Sequence, residues 1–221
     1  MREEKKVSYQ TTNTYQTLNE FTEKTKNVWL VCHGLGHLSS YFLNHFENLN
    51  AEENYIVAPQ APSKYYQDKL YKYVGASWVT RINTEDEIEN VLNYLDAVYK
   101  SELEPKLNSR INFVVLGFSQ GVSVVTRWLA YRKQICNTLV LHSGSVPKNL
   151  NTADFSKIKD LQTFITYGLE DEFLTPNKLK YELEFVQKTF GENIEKIPFE
   201  GKHKVSGKAI LQIADKFKSS T

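Results

Sequence analysis

The stretch of residues 111–121 reads Ile-Asn-Phe-Val-Val-Leu-Gly-Phe-Ser-Gln-Gly, and it predicts both a local structure and a chemistry. An apolar run with the length of a buried strand ends at Leu116, and a serine between two glycines follows before a helical pattern begins. In this context Gly-x-Ser-x-Gly is typical of a nucleophile elbow, a strained strand-to-helix turn that holds a serine hydroxyl above the edge of a parallel sheet. Glycine is needed on both sides because neighbouring strand and helix atoms leave no space for a Cβ. Ser119 is therefore the predicted nucleophile.

Length and composition favour a single α/β domain over a nucleic-acid-binding or membrane protein. A chain of 221 residues with 41% hydrophobic content fits one α/β domain over residues 1–221, in which residues 1–27 supply edge strands and an N-terminal extension. The 27 basic and 26 acidic residues are well mixed, so neither nucleic acid nor an anionic membrane is expected as a partner. The first residues hold no apolar stretch typical of a signal peptide, and no segment approaches about eighteen consecutive apolar residues. We therefore expect a cytoplasmic protein without a membrane span.

The two cysteines favour neither a disulfide framework nor a metal site. Cys32 ends one apolar run and Cys136 opens another, so both are expected to be small buried hydrophobic residues. Neither has the spacing of a metal ligand, and no metal is predicted.

Strand-like and helix-like segments alternate along the chain. Short apolar runs predict strands at residues 28–32, 55–58, 111–116, 138–141, 163–167 and 194–198, and residues 7–18 predict one or two edge strands. Helices are predicted from Thr84 to about Tyr99, from the elbow to about Lys133, from Thr175-Pro176 onward and from Ser206 onward. Thr84 and Glu87 have the spacing of a capping box. This alternation predicts a doubly wound, mostly parallel sheet with helices on both faces, and ligands bind such sheets at the carboxyl ends of the strands.

A serine hydroxyl needs a base, and in this architecture the chain order is nucleophile, acid, then histidine. Only His142 and His203 follow Ser119. His142 ends a strand directly after the elbow helix, with no acid-bearing loop before it. His203 lies between the last strand and the last helix, where the base belongs, and its alternative role is that of a solvated histidine between two lysines. His203 is the predicted base.

The acid is expected in the loop that follows the strand at residues 163–167. This loop offers Glu170, Asp171 and Glu172. Asp171 is favoured because a Gly-x-x-Asp turn places a short side chain back toward the end of the sheet, and Glu170 is the alternative. Glu172 is expected to be a solvated charge.

The oxyanion of a tetrahedral intermediate needs amide donors. One is the N–H of Gln120, the residue after the nucleophile. The second is expected from the loop His33-Gly34-Leu35-Gly36, with Leu35 as the donor. His33 is predicted to be a buried orienting side chain.

With these pieces in order, the chain resembles the α/β-hydrolase superfamily, and within it the phospholipase/carboxylesterase family that includes the acyl-protein thioesterases. The matching stretches lie between residues 28 and 205 and occur in the order of the family: Val31–Gly36, Ala58–Pro62, Ser77-Trp78, Gly117–Gly121, His142–Gly144, Gly168–Asp171 and Gly201–His203.

The resemblance implies an α/β-hydrolase fold, a triad of Ser119, Asp171 and His203, and a two-amide oxyanion hole at Leu35 and Gln120. It also implies no cofactor and hydrolysis of carboxylic esters or thioesters through an acyl-enzyme. The expected partner is a small-molecule ester or thioester, lipid-like ones included, and the expected state is a monomer or a homodimer.

Three departures from the family pattern remove no catalytic group. Val122 replaces a further glycine after the serine motif, Val79-Thr80-Arg81 replaces Phe-Asp or a similar pair after the tryptophan, and Cys32 replaces a Leu or Phe. The first two lie near the acyl-binding side, so they bear on the substrate and not on the type of reaction.

The connection from Ser143 to Asp160 is too short for an inserted helical cap, so no large cap domain and an open site are expected. The longest irregular stretch, Gln60–Thr80, is rich in aromatic residues and predicts an apolar wall for an acyl chain. Gly34, Tyr73 and Trp78 are the predicted substrate-binding residues. The alternative is aromatic packing that only tethers the loop.

Two other functions share this framework. One is a peptidase or amidase, which the triad alone does not exclude. The other is a non-catalytic binding protein, whose mark would be the loss of a triad group or an oxyanion glycine, and the sequence retains all of them.

Overall fold

The computed structural model describes residues 1–158, 160–191 and 193–217. Within them the strands are β1 (Tyr15–Leu18), β2 (Asn27–Cys32), β3 (Asn54–Pro59), β4 (Ser63–Tyr66), β5 (Val74–Ser77), β6 (Asn112–Phe118), β7 (Thr138–His142), β8 (Gln162–Gly168) and β9 (Ile194–Phe199). The helices are α1 (Ser39–Leu43), α2 (Thr84–Val98), α3 (Gln120–Arg132), α4 (Pro176–Phe190) and α5 (Gly207–Phe217). Short 3₁₀ turns lie at Asn44–Phe46 and Thr152–Phe155, and a π-helical turn at Tyr99–Leu103 extends α2.

Seven strands form one sheet in the order β1-β3-β2-β6-β7-β8-β9. β1 pairs antiparallel with β3, and the other neighbouring strands of this sheet pair in parallel. β4 and β5 form a separate antiparallel hairpin. The sheet is therefore mostly parallel, as predicted from the alternation of strands and helices.

The sheet is covered on both faces because successive residues of its central strands point to opposite sides. Val28 and Leu30 of β2 pack in one core with apolar residues of α2, α3 and α4. Trp29 and Val31 pack in a second core with α1 and α5. All six residues of β2 are buried, which explains why the sequence shows a continuous apolar run and no alternation. The prediction of helices on both faces is confirmed.

The start of α2 differs from the prediction. Asn83, in a left-handed conformation with φ of 52°, precedes the helix, and Thr84 is its first residue. The Thr84 hydroxyl donates to the Thr80 carbonyl at 2.9 Å, and the Glu87 carboxylate accepts hydrogen bonds from the Thr80 amide and from the Thr80 hydroxyl. The capping box between Thr84 and Glu87 is wrong because the turn before the helix brings Thr80 within reach of Glu87.

Two irregular regions also differ from the prediction. Of residues 7–18, only Tyr15–Leu18 forms a strand, along four residues of β3. The stretch Gln60–Thr80 contains the β4–β5 hairpin, whose turn is held by Asp68. The Asp68 carboxylate accepts hydrogen bonds from the amides of Leu70 and Tyr73, each at 2.7 Å.

Between β7 and β8 the described chain forms only the 3₁₀ turn Thr152–Phe155, so no large cap covers this part of the sheet edge. Among the described helices, none combines the length and the apolar character needed to cross a membrane.

Candidate active site

Ser119 lies between β6 and α3 with a φ of 52° and a ψ of −115°. A non-glycine residue in such a backbone region costs about 1–3 kcal/mol and persists only where its surroundings hold it. The Ser119 amide donates to the His142 carbonyl at 2.9 Å, and the Ser119 carbonyl accepts from the Val122 amide at 3.1 Å. These bonds attach the strained residue to the next strand and to its own helix.

The glycines around Ser119 are required by close backbone contacts. A Cβ at Gly117 would lie 2.5 Å from backbone atoms of Gly121, and a Cβ at Gly121 would lie 2.1 Å from the carbonyl oxygen of Cys32. Both distances are far shorter than any van der Waals contact, so the turn admits only glycine at these positions. The elbow geometry agrees with the steric argument made from the sequence.

The structure brings Ser119, His203 and Asp171 together. The His203 Nε2 lies 2.9 Å from the Ser119 Oγ, and the His203 Nδ1 lies 2.8 Å from the Asp171 Oδ2. With the proton on Nδ1, the ring donates to the carboxylate and its Nε2 accepts from the serine hydroxyl. The Asp171 side chain is fully buried, and that of His203 is 18% exposed. The arrangement can remove the serine proton and retain the positive charge beside a shielded carboxylate.

The loop that carries Asp171 packs directly on the loop that carries His203. A Cβ at Gly168 would lie 2.3 Å from the carbonyl oxygen of Gly201, so glycine permits this contact. The Glu170 amide donates to the same carbonyl at 3.0 Å. The second carboxylate oxygen of Asp171 accepts from the Phe173 amide at 2.9 Å. Asp171 and His203 are therefore positioned by one pair of joined loops.

Two neighbours of Asp171 contact the base and were not predicted to. The Glu172 carboxylate is exposed, yet it accepts a hydrogen bond from the His203 amide at 3.3 Å. Hydrogen bonds from backbone amides lower the pKa of Glu172. The Phe173 ring meets the His203 ring edge to face, with centroids 4.8 Å apart. Nothing in the local sequence signals either contact, because both depend on how the two loops dock.

His142 has a different environment. It is fully buried, its Nδ1 bonds the Thr166 hydroxyl, and its Nε2 accepts from the Ser206 amide at 3.0 Å. Burial lowers the pKa of His142 to about 3, so the ring is uncharged at neutral pH. Both of its nitrogens are bonded to groups other than Ser119.

The loop after β2 approaches the nucleophile closely. A Cβ at Gly34 would lie 2.8 Å from the Phe118 ring and 3.2 Å from the Ser119 Cβ. Within the described residues, the amides of Leu35 and Gln120 form no hydrogen bond. Leu35 follows Gly34, and Gln120 follows Ser119. Each of the two unbonded N–H groups therefore belongs to a residue next to this close contact.

His33 fixes that loop from inside. It is fully buried, its Nδ1 lies 2.8 Å from the Gly34 carbonyl, and its Nε2 accepts from the Ala61 amide at 3.1 Å. Burial lowers the pKa of His33 to about 4, so it too is neutral.

Of the residues predicted to bind substrate, Tyr73 lies in the turn of the β4–β5 hairpin and Trp78 directly follows β5. Trp78 is fully buried, and its indole N–H donates to the His33 carbonyl at 2.8 Å. Its side chain supports the loop and does not line an open pocket. Tyr73 is 67% exposed on the β4–β5 hairpin and is absent from the groove beside Gln120. The burial of Trp78 fits the alternative of aromatic packing that tethers the loop, and the substrate-binding roles of both residues stay predictions.

A groove of about 730 Å³, here called the elbow groove, borders Gln120. It is lined by Val79, Thr80, Arg81, Gln120, Ser123, Arg127, Ser145, Val146, Pro147, Lys148, Lys178, Tyr181 and Glu182. Sequence reasoning pointed to Gln120 and to the stretch Val79-Thr80-Arg81 but missed the other lining residues, although Gln120, Ser123 and Arg127 recur at the spacing of one helical face. No group of three or more His, Cys, Asp or Glu side chains in the described part of the chain could hold a metal ion.

Comparison with known proteins adds a family and a fold. Residues 13–220 match the phospholipase/carboxylesterase family. Similar solved structures include acyl-protein thioesterase 2 of Zea mays, with a TM-score of 0.70 at 11% identity over 94% of this chain and 99% of that chain. Esterase PE8 gives a TM-score of 0.68 at 15% identity over 95% and 99% of the two chains. A phospholipase/carboxylesterase from Dyadobacter fermentans DSM 18053 gives a TM-score of 0.65 at 16% identity, over 96% of this chain and 99% of that chain.

No curated protein sequence matches this chain. At the identities above, the solved structures show the fold alone. The predicted α/β-hydrolase fold without a large cap is confirmed.

Proposed function

This chain belongs to the phospholipase/carboxylesterase family, and from that premise we propose that it is a serine hydrolase that cleaves carboxylic esters or thioesters through an acyl-enzyme. The observation that carries the proposal is the position of the His203 ring, which bridges the Ser119 hydroxyl and the buried Asp171 carboxylate. Family membership and the names of the similar structures support an ester or thioester as the substrate.

In the first half-reaction the Ser119 Oγ attacks the carbonyl carbon of the substrate while His203 Nε2 takes the serine proton. Asp171 keeps the proton of the neutral ring on Nδ1 and stabilises the imidazolium that forms. A second hydrogen bond, from the Phe173 amide, holds the carboxylate in place. The imidazolium then protonates the departing alcohol or thiol, which leaves the acyl group on Ser119.

We assign the amides of Leu35 and Gln120 as the donors that stabilise the negative charge of the tetrahedral intermediate. Donors of this kind each contribute on the order of 10²–10³ in kcat. In the second half-reaction water attacks the acyl-enzyme with His203 as the base, and the acid product is released. The absence of a large cap leaves room for substrates of different sizes, lipid-like esters included.

The test is steady-state hydrolysis of p-nitrophenyl acetate, butyrate and octanoate by the wild type and by Ser119→Ala. Removal of the nucleophile of a working triad costs on the order of 10⁶ in kcat, so hydrolysis by Ser119→Ala is expected to fall to the background rate. Ser156→Ala is the matched control, because Ser156 is exposed at the end of a 3₁₀ turn, outside the site.

Equal rates in the wild type and Ser119→Ala would contradict the proposal. A p-nitroanilide of the same acyl group is assayed in parallel. Faster cleavage of the anilide than of the ester would favour a peptidase or amidase. The absence of turnover with every substrate would favour a binding protein.

A further inference from the structure

The elbow groove carries an excess of positive charge. Four of its lining residues are cationic, Arg81, Arg127, Lys148 and Lys178, and one is acidic, Glu182. Over the whole chain basic and acidic residues are nearly equal in number, at 27 and 26. The local excess is therefore a property of this groove and not of the protein surface in general. A concave site with charge of one sign attracts ligands of the opposite sign.

The cations of the groove lack anionic partners. In the described residues, no ion pair within 4.0 Å involves Arg81, Arg127, Lys148 or Lys178. Lys178 donates to the Phe173 carbonyl at 2.8 Å, and Lys148 lies over the Tyr181 ring at 4.9 Å. These contacts orient the two ammonium groups without neutralising them.

Arg127 is the most informative of the four. It lies on α3, two turns after Gln120, and its Nη1 donates to the Ser123 carbonyl at 3.2 Å. Its Nε is buried and has no hydrogen-bond partner among the described residues. Arg132 on the same helix, by contrast, pairs with Glu89 at 2.7 Å and Asp96 at 2.8 Å. A half-buried guanidinium without an acid is costly, and a ligand that supplies the acid removes that cost.

The groove adjoins the reacting centre. Gln120, which follows the nucleophile and is assigned to the oxyanion hole, is part of its wall. Arg81 enters it from Val79-Thr80-Arg81, the stretch in which the sequence departs from the family pattern. The Gln120 side chain holds the start of that stretch, because its Nε2 donates to the Val79 carbonyl at 2.7 Å. A substrate whose ester lies at Ser119 can thus extend a second group toward Arg81 and Arg127.

We propose that the elbow groove binds an acidic group of the substrate, a carboxylate or a phosphate, through Arg81 and Arg127. The hydrolase then prefers esters or thioesters that carry a second, negatively charged group over neutral esters of the same length. This inference rests on the proposed function for its substrate, while the anion site itself rests on the groove.

The first experiment measures binding without turnover. Calorimetry on Ser119→Ala uses monomethyl adipate and monomethyl phosphate as anionic probes and methyl hexanoate as the neutral one. We expect an anionic probe to bind more tightly than the neutral one, and more weakly as ionic strength rises. Adding Arg127→Met should weaken anion binding about tenfold or more, and Arg127→Lys should restore part of it. Arg110→Met, at an exposed arginine outside the groove, is the matched control.

The second experiment compares kcat/KM for mono-p-nitrophenyl adipate and p-nitrophenyl hexanoate, corrected for spontaneous hydrolysis. Arg127→Met should lower the ratio of kcat/KM for the anionic substrate to kcat/KM for the neutral substrate about tenfold or more. Arg81→Met should lower the same ratio. Because Arg81 is exposed, this variant is expected to fold and provides the test if Arg127→Met does not fold.

The outcomes separate the two proposals. Equal binding of anionic and neutral probes, or anion binding indifferent to both arginines, overturns the anion site even if Ser119-dependent ester hydrolysis is observed. Arginine-dependent anion binding without any ester hydrolysis retains the site and overturns the hydrolase assignment. Tighter binding of one anionic probe identifies the acidic group as a carboxylate or a phosphate.

Discussion

Asp171 and Glu170 are adjacent carboxylates with opposite environments. The Asp171 side chain is fully buried against His203, whereas Glu170 is exposed and meets the base loop only through its backbone amide. We expect Asp171→Asn to lower kcat for p-nitrophenyl butyrate about 10⁴-fold, because the amide favours the wrong tautomer of the histidine. Glu170→Gln removes a charge of the same sign one residue away and should leave kcat nearly unchanged. A comparable loss in both variants would move the orienting role away from Asp171.

The need for glycine beside Ser119 could be predicted because its reason is local. Ser119 and its two glycines lie within five consecutive positions, and the contacts that exclude a Cβ follow from one turn. The contact of Trp78 could not be predicted because the group it bonds, the His33 carbonyl, lies 45 residues earlier in the chain. A sequence shows that a tryptophan is present but not which carbonyl the fold brings to its indole.

Among the structural elements, β5 and the residue after it, Trp78, clamp the proposed oxyanion loop. The Ala76 carbonyl accepts from the Gly36 amide at 2.8 Å, and the Trp78 indole bonds His33 two residues later. The Trp78 amide in turn donates to the Gln120 side chain at 2.9 Å. One short segment therefore sets the distance between the two amides assigned to the oxyanion.

Replacing Trp78 by Phe tests this clamp. The change leaves a buried carbonyl without its donor, so the free energy of unfolding in urea should fall by about 1–3 kcal/mol. We also expect kcat to fall more than KM changes, because the amides act on the transition state. Trp128→Phe is the matched control, since its buried indole donates to Asp96 at 2.9 Å, away from the loop.

Trp128→Phe should lower stability to a similar degree and leave kcat unaltered. If both variants lose stability and neither loses kcat, the segment is structural only.

Sequence reasoning treated this region as irregular because the hairpin and the Glu87–Thr80 bonds arise from contacts between segments, which no periodicity records.

Across the whole molecule, two buried neutral histidines link stability to pH. Burial lowers the pKa of His33 to about 4 and that of His142 to about 3, against an ordinary value of 6.5. The unfolded chain therefore binds these protons at a higher pH than the folded chain does. Their contribution to stability is complete above about pH 6.5 and is lost as the pH falls toward the folded values.

We expect the free energy of unfolding to decrease between pH 6.5 and 5, with a slope that rises toward about 1.4 kcal/mol per pH unit for each histidine. Urea titrations at several pH values measure this slope in a range where most carboxylates stay ionised. In His142→Gln one titrating histidine is missing. Over the same pH range, its free energy of unfolding should therefore fall less steeply with decreasing pH than that of the wild type, by the contribution of one histidine. An unchanged slope would show that His142 is not the group that titrates on unfolding.

At this scale the fold was largely predictable, because buried parallel strands leave continuous apolar runs that locate each strand to within a residue or two. The charge of the elbow groove was not predictable. Its cations come from Arg81, Arg127, Lys148 and Lys178, on separate segments, and each alone resembles an ordinary solvated charge.

The strand that leads to His203 lies at the rim of the sheet. β9 pairs only with β8 and contains Pro198, which an edge strand tolerates, whereas Ser119 follows the central strand β6. Ser119, the proposed nucleophile, thus follows a strand with neighbours on both sides, and His203, the proposed base, follows a strand at the edge of the sheet. Fraying of β9 would move His203 away from Ser119 and leave the elbow and both apolar cores in place. We expect such local opening to abolish activity before global unfolding, so that loss of activity on heating would report on this edge strand and not on the core.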